Sequence, residues 1–146
     1  MTPVIALHGG AGTIRRARSR PERTVLERAL QAGYGILQDG GSSLEAVAAV
    51  VVMLEDSGLF NAGRGAAPNA DGEIELDAGI MDGATLRAGG VAAVRRIRNP
   101  IVAAREVMEH GRHVLLAGAG AERFARRQRL AMVAHGDNEI IAGKTR

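Results

Sequence analysis

A glycine-rich stretch near the start of the chain is the first segment that could bind a ligand. His8-Gly9-Gly10-Ala11-Gly12 follows a short apolar run, and bare main-chain amides in such a loop can bind an anion. The stretch lacks the Lys-Ser/Thr ending of a P-loop, and no helical pattern follows it directly as in a dinucleotide-binding fingerprint. The spacing disfavours nucleotide binding and leaves two interpretations, a structural turn or a functional loop.

A second segment, residues 61–65, reads Asn-Ala-Gly-Arg-Gly and follows a long apolar stretch. Its main-chain carbonyls could face an ion, because hard cations such as sodium and calcium take oxygen ligands. The segment offers many carbonyls and few carboxylates. It therefore favours weak binding of an ion of low charge.

Histidines and aspartates offer metal or acid–base chemistry, but their spacing favours structural roles. No H-E-x-x-H pattern is present, so we predict no zinc site. Asp77 and Asp82 could act as paired carboxylates, yet both stand beside turn or strand-end residues, where Asp commonly hydrogen-bonds the backbone. We predict the structural role for both. The four histidines are His8, His110, His113 and His135.

The composition is that of an ordinary globular domain. The chain has 146 residues, 46% hydrophobic and 24% charged, and no Cys, which excludes a disulfide framework and a thiolate metal site. No signal peptide or membrane span is visible, so we expect a cytoplasmic protein without a membrane partner. The net charge is only +3. Arginine clusters within residues 15–20 and 123–129 lack aromatic stacking partners, which disfavours nucleic-acid binding.

The elements that position these segments follow from apolar periodicity and from capping signals. Ser42 and Glu45 form an S-x-x-E capping box, Asn69 to Gly72 reads as a turn, and Asn99-Pro100 reads as a helix cap followed by a first helical residue. Because the strands are partly adjacent in sequence, the order predicts an α+β fold. The predicted strands are 3–8, 73–80, 86–97 and 113–117, and the predicted helices are 21–37, 42–54, 100–110 and 118–130.

Several of these segments, in this order, resemble the plant-type asparaginases and isoaspartyl peptidases, a branch of the N-terminal nucleophile hydrolases. The resemblance covers about residues 3–125. It is carried by His8-Gly9-Gly10-Ala11-Gly12, residues 33–37 with Gly40-Gly41-Ser42, Leu54-Glu55-Asp56, and residues 59–63, 75–78, 80–83 and 98–101. Residues 59–63 fit this branch better than the glycosylasparaginase-like or protein-cleaving relatives.

The resemblance implies the N-terminal, α-subunit half of a four-layer αββα sandwich. Such precursors cut themselves before a Thr, and the new terminal Thr is the nucleophile of the β-subunit. The implied activity is hydrolysis of L-asparagine and β-aspartyl dipeptides to release L-aspartate, without a catalytic cofactor. The implied partners are the β-subunit from the same precursor and a second heterodimer. Residues 1–130 would belong to the single αββα domain, and residues 131–146 would form a mobile tail before the cleavage site.

The resemblance also implies roles for individual positions. Asn61 would lie near the nucleophile, and the loop of Gly9 and Gly10 would lie near the active site, while the nucleophile itself is absent from this chain. A structural sodium ion would be held by backbone carbonyls. Those carbonyls would come from Leu54, Glu55, Ser57, Phe60, Ala62 and Arg64.

The sequence departs from the family pattern at its end. The family's cleavage point is a Gly-Thr-Val-Gly stretch, which this chain does not contain. Thr145 is therefore a poor candidate nucleophile, and so is Thr2, since Pro3 follows it. The tail from Ala131 onward is short compared with the linker that precedes the cleavage point in the family, either because the linker is reduced or because the chain is truncated. One alternative stays open, a catalytically inactive orphan half or fragment that acts only as a binding or structural partner.

Overall fold

The computed structural model describes residues 2–11 and 19–134, in which helices flank one small sheet. The predicted α+β class is confirmed. In chain order the elements are α1 (Ser19–Gln38), α2 (Ser43–Ser57), a 3-10 turn (Gly63–Gly65), β1 (Leu76–Met81), β2 (Ala88–Val94), α3 (Pro100–His110), β3 (Leu115–Ala117) and α4 (Gly118–Arg127).

Helices α1 and α2 form a closely packed pair at the start of the chain. The predicted capping box is confirmed, because the Ser42 hydroxyl accepts the Glu45 N–H and the Glu45 carboxylate accepts the Ser42 N–H. Gly33 of α1 faces α2 so closely that an added Cβ would lie 2.6 Å from Val50 Cγ2. The pair therefore packs as one unit.

The sheet is mixed and has the strand order β1, β2, β3. Strand β1 pairs antiparallel with β2, and β2 pairs parallel with β3. Helix α3 lies directly against the inner side of Gly89, since an added Cβ there would meet the main chain of Ala104 and Met108. Helix α4 packs through Phe124 into the cluster that contains Val91 and Val94. The core of the chain thus lies on one face of the sheet.

The predicted strand at residues 3–8 is wrong within the described part of the chain. Residues 2–10 run in irregular backbone and pair with no strand. Their burial still alternates, with Ile5 and Leu7 packed against the cluster that contains Val50 and Phe60. The segment has the side-chain periodicity of a strand, but none of the described residues supplies its ladder.

The predicted tail begins with residues that contact the sheet layer. Met132 forms an antiparallel bridge with Ile97, and the Arg98 N–H donates to the carbonyl of Ala131 at 3.0 Å. Residues 135–146, with His135 and Thr145, lie outside the described residues. So do Gly12, the arginines at positions 15, 16 and 18, and the rest of the 12–18 stretch. Across residues 2–11 and 19–134, no helix combines the length and apolarity needed to cross a bilayer.

Candidate active site

Helix α2 ends in a closed turn that sets the direction of the following loop. Gly58 takes the left-handed conformation, with φ of 69°. The Ser57 hydroxyl donates to the Leu54 carbonyl at 2.7 Å and accepts the Leu59 N–H at 3.2 Å. These bonds satisfy polar groups that the end of a helix otherwise leaves unpaired.

The loop of residues 58–65 folds back onto the end of α2. Gly63 has φ of 52°, and an added Cβ there would lie 2.6 Å from the Glu55 Cβ. An added Cβ at Gly65 would meet the Phe60 carbonyl oxygen and would lie 2.8 Å from the carbonyl carbon of Gly58. Glycine at both positions therefore permits a tight approach between the loop and the helix end.

Asn61 is an exposed residue on this otherwise well-anchored loop. Phe60, which precedes it, is only 8% exposed and packs in the cluster of Ala29, Val50 and Leu54. The Asn61 side-chain oxygen Oδ1 accepts the main-chain N–H of Ala67 at 2.8 Å. The backbone and the side chain of Asn61 are thus both held.

The glycine-rich loop lies against the ring of Phe60. An added Cβ at Gly9 would lie 2.9 Å from Phe60 Cε1 and 3.2 Å from Leu26 Cδ1. Gly10 has φ of 122°, and its N–H donates to His8 Nδ1 at 3.3 Å. The fold therefore brings together two segments that are about fifty residues apart in sequence, the Gly9-Gly10 loop and the loop of Asn61.

Glu55 is the buried charged residue among those described, at 3% exposure. Its Oε1 accepts the Ile101 N–H at 3.0 Å, and its Oε2 is buried without a partner among the described atoms. Burial raises the pKa of the Glu55 carboxyl to about 7, against the opposing effect of the Ile101 hydrogen bond. The predicted start of α3 is confirmed, with Asn99 at the N-cap position and Pro100 as the first helical residue. The Asn99 side chain makes no cap bond, however, and Glu55 supplies that bond from α2.

A polar cluster beside Glu55 joins the same two helices at the surface. The Arg98 guanidinium contacts the Asp56 carboxylate, with Nε 3.3 Å from Oδ1. The Asn99 side-chain amide donates to Asp56 at 3.1 Å. Asn99 is thus drawn toward α2, which explains why it does not cap its own helix.

The two aspartates considered as paired carboxylates hold turns and strands instead. Asp77 Oδ1 accepts the Ala93 N–H at 2.7 Å, where β1 and β2 shift register. Asp82 accepts the Thr85 hydroxyl at 2.6 Å and the Ala84 N–H at 3.1 Å, and these bonds lower the pKa of its carboxyl. The predicted structural role is confirmed for both.

One group of metal-ligand side chains lies on the last turns of α3. Glu106, Glu109 and His110 approach within 4.8 Å of one another through helical spacing. His110 Nε2 lies 3.7 Å from Glu106 Oε2, while Glu109 pairs with Arg105 at 2.8 Å. The Arg105–Glu109 ion pair and the His110–Glu106 contact are side-chain pairs at helical spacing, which explains the cluster without a metal.

The six residues proposed to hold sodium occupy the end of α2 and the loop that folds against it. Because the carbonyl end of a helix carries partial negative charge, this placement suits a cation. The Leu54, Phe60 and Ala62 carbonyls each accept one bond inside the loop or helix end, and a carbonyl oxygen has a second lone pair. An all-oxygen donor set of this kind fits a hard ion of low charge.

Comparison with known proteins decides the family. A family model described as asparaginase matches residues 1–142. The chain belongs to this asparaginase family. The isoaspartyl peptidase/L-asparaginase of Danio rerio is 48% identical over 126 residues, which is 86% of this chain and 41% of that protein. The human protein of that name is 49% identical over 126 residues, again 86% and 41%. The isoaspartyl peptidase of Salmonella typhimurium is 48% identical over 135 residues, 89% and 43%.

The chain therefore matches asparaginase-family proteins over only part of their length. It spans about two-fifths of each relative named above. Homologues with these names support an amide hydrolase family. The remaining three-fifths of those proteins has no counterpart in the residues described for this chain.

Among the positions predicted from the sequence, Gly9 and Asn61 lie in one region, connected through Phe60. The six positions proposed for sodium lie together at the end of α2 and in the loop that follows it. Sequence analysis missed Ala67 and the side chain of Glu55. Ala67 gave no signal, because its contribution is a main-chain N–H. Glu55 did give one, since a charged residue near the end of a strongly apolar helix is expected to find a buried partner.

Proposed function

We propose that this chain is the α-subunit portion of a Thr-dependent amide hydrolase that acts on L-asparagine and β-aspartyl dipeptides. Autoproteolysis of a longer precursor would release a β-subunit with a terminal Thr, and the two would assemble as a pair of heterodimers. The observation that carries this proposal is the contact between Gly9 and Phe60. It joins the glycine loop to the residue that precedes the exposed Asn61, in a member of the asparaginase family.

The open face of the sheet supports assembly with a second layer. Ile80 and Gly89 face α3, so the alternate positions Gly79, Met81 and Gly90 face the other way. Leu115 pairs in register with Gly90 and lies on that open face. Met81 is 57% exposed and Leu115 is 59% exposed, and they border a shallow groove of about 360 Å³.

A second sheet packed on this face would complete the αββα sandwich. Face-to-face sheets lie about 10 Å apart and interdigitate their side chains, and the many glycines of this face would let them approach. The chain spans two-fifths of its relatives, and the rest of such a protein is long enough to supply that sheet. The irregular segment at residues 2–10 would gain its missing strand partner from the same source.

The proposed chemistry uses the hydroxyl of the terminal Thr as nucleophile. Its own α-amine would take the hydroxyl proton, the oxygen would attack the side-chain amide carbon, and ammonia or an amino acid would leave with that proton. Water would then hydrolyse the acyl-enzyme ester to release L-aspartate. This chain would supply Asn61 and the Gly9-Gly10 loop beside the reacting groups, with no cofactor in the reaction.

A sodium ion bound by the carbonyls of the α2 end and its loop would be structural. The residues that would hold it are Leu54, Glu55, Ser57, Phe60, Ala62 and Arg64. It would fix the loop that carries Asn61. It would take no part in breaking the amide bond.

Aspartate release by the complete protein tests the proposed function. β-Aspartyl-leucine and L-asparagine would be supplied as substrates, and aspartate measured with an amino-acid analyser. We expect turnover of at least one of the two, and a drop of about 100-fold or more in Asn61→Ala if this amide stabilises the transition state. Absence of aspartate from both substrates, in a protein shown to be folded, would reject the proposal and favour the inactive alternative.

A further inference from the structure

The side-chain amide of Asn61 accepts a hydrogen bond at its oxygen and donates none to the described residues from its nitrogen. Its Oδ1 accepts the Ala67 N–H at 2.8 Å. Since a main-chain N–H is only a donor, it must face the oxygen of the amide rather than its nitrogen. Among the described residues, nothing accepts a hydrogen bond from Asn61 Nδ2, so its two N–H groups are available.

We propose that Ala67 is a positioning residue, whose main-chain N–H holds the Asn61 amide so that its Nδ2 donors face an oxygen of the reacting centre. This inference rests on the proposed function. An amide held in this way can stabilise an oxygen that gains negative charge in the transition state.

The hydrogen bond from Ala67 is the main contact that fixes the orientation of the Asn61 side-chain amide, because the rest of the loop fixes only the backbone. The Phe60 ring is buried and fixes the backbone on one side of Asn61, and Gly63 against Glu55 fixes it on the other. The side chain itself is exposed, so packing does not select one orientation. Without the Ala67 N–H, rotation of the amide by a half turn would bring its oxygen where its nitrogen stood.

Ala67→Pro removes this N–H, and the residue before it already has the backbone that a following proline requires. A residue before proline must be extended, and Ala66 already is, with φ of −62° and ψ of 142°. Ala67 itself precedes Pro68 and is subject to the same preference. Ala70→Pro is the matched control, because the Ala70 N–H makes no hydrogen bond with the described residues and Ala70 follows Asn69 in a turn, where proline is favoured.

Steady-state kinetics of the complete protein test the inference. We expect Ala67→Pro to lower kcat about tenfold with KM nearly unchanged, while Ala70→Pro keeps the wild-type values. Asn61→Asp retains an oxygen for Ala67 but loses the donor, so it should lose about 100-fold or more in kcat, like Asn61→Ala. Wild-type kcat in Ala67→Pro or Asn61→Asp, or an effect on KM alone, would overturn the inference.

A double-variant cycle separates positioning from general damage to the loop. If Ala67 acts through Asn61, adding Ala67→Pro to Asn61→Ala should change kcat by less than about twofold, because interacting residues are not additive. An equal tenfold loss in both backgrounds would show that proline acts on the loop itself. That result would overturn the inference.

Amide hydrogen exchange gives a readout that needs no activity. In protein labelled with ¹⁵N-alanine, the Ala67 N–H should exchange with solvent at least about tenfold faster in Asn61→Ala than in wild type, because its acceptor is gone. An unchanged rate would overturn the inference. A protein without hydrolase activity would reject the proposed function, and this measurement would still decide whether Ala67 holds Asn61.

Discussion

The carboxyl of Glu55 accepts the main-chain N–H of Ile101 at 3.0 Å and so caps α3 from the end of α2. A cap is usually supplied by the residue just before the helix. Here it comes from a residue 46 positions earlier. The helix that leads to the loop of Asn61 is thereby joined directly to the helix that covers the sheet.

The stability of the protein should fall as the pH rises through the titration range of Glu55. Its pKa is about 7 in the folded protein, against 4.5 for an ordinary Glu. Between these two values the folded state binds more protons than the unfolded state, so the free energy of unfolding decreases with increasing pH. The contribution of Glu55 is complete below pH 4.5 and is lost above pH 7, and its full size is on the order of 3 kcal/mol.

Urea denaturation of the complete protein across that range, in sodium-free buffer, measures this effect. Glu55→Gln is the control, because it keeps an oxygen for Ile101 and cannot titrate. The difference in unfolding free energy between wild type and Glu55→Gln should shift with pH in favour of the variant as the pH rises. A difference that stays constant from pH 4.5 to 7 would contradict the prediction.

Replacing Gly89 should destabilise the contact between the sheet and α3. A Cβ in Gly89→Ala would meet the backbone of Ala104 and Met108, which cannot move aside as a flexible side chain can. We expect a loss of about 3 kcal/mol in unfolding free energy.

Gly35→Ala is the matched control for Gly89→Ala. Gly35 lies within α1 and an added Cβ there meets no atom within 4 Å. We expect this variant to be stabilised by about 0.5 to 1 kcal/mol, because Ala is the better helix former. Equal stabilities of the two variants in chemical denaturation would show that α3 does not pack on Gly89 as described.

Gly9→Ala should disturb the contact between the glycine loop and Phe60. The new Cβ would lie 2.9 Å from Phe60 Cε1, and the crowding should cost about 1 to 2 kcal/mol of stability. Because Phe60 precedes Asn61, kcat should fall as well. Phe60→Leu removes the crowded ring, so the double variant should lose less stability than the sum of the single variants. Strict additivity would show that the two residues do not touch.

Sodium should raise the melting temperature if the carbonyls of the α2 end bind it. A ligand that binds only the folded state stabilises it by mass action. We expect a higher melting temperature in sodium chloride than in choline chloride at equal ionic strength. Gly63→Val should abolish the difference, because a side chain at this residue with φ of 52° would displace the loop from Glu55. Identical melting curves of wild type in the two salts would contradict a sodium site.

Local signals in the sequence predicted much of this fold. The Ser42-Glu45 capping box and the Pro100 start of α3 were predicted, because capping and proline chemistry act within a few residues. The Asn99 side chain stands at the predicted N-cap without capping α3, because it binds Asp56, 43 residues away in sequence. The strand at residues 3–8 was mispredicted because apolar alternation specifies a face but cannot show whether a pairing strand is present.

The candidate site was likewise predicted from the sequence only in part. Resemblance to the family pointed to Asn61 and Gly9 through residue type and the order of the motifs. The contact of Gly9 with Phe60, and the bond of Ala67 to Asn61, depend on how the α2 loop folds back. Neither contact follows from a periodic pattern in the sequence, so only the folded structure reveals them.

Intact-mass measurement and N-terminal sequencing of the protein purified from its own host test the central claim most directly. The proposed function predicts a second polypeptide that accompanies this chain and begins with Thr. Its presence would establish an autoprocessed N-terminal nucleophile hydrolase. Residues 1–146 purified alone, with no Thr-initiated chain, would contradict the claim and leave an inactive half.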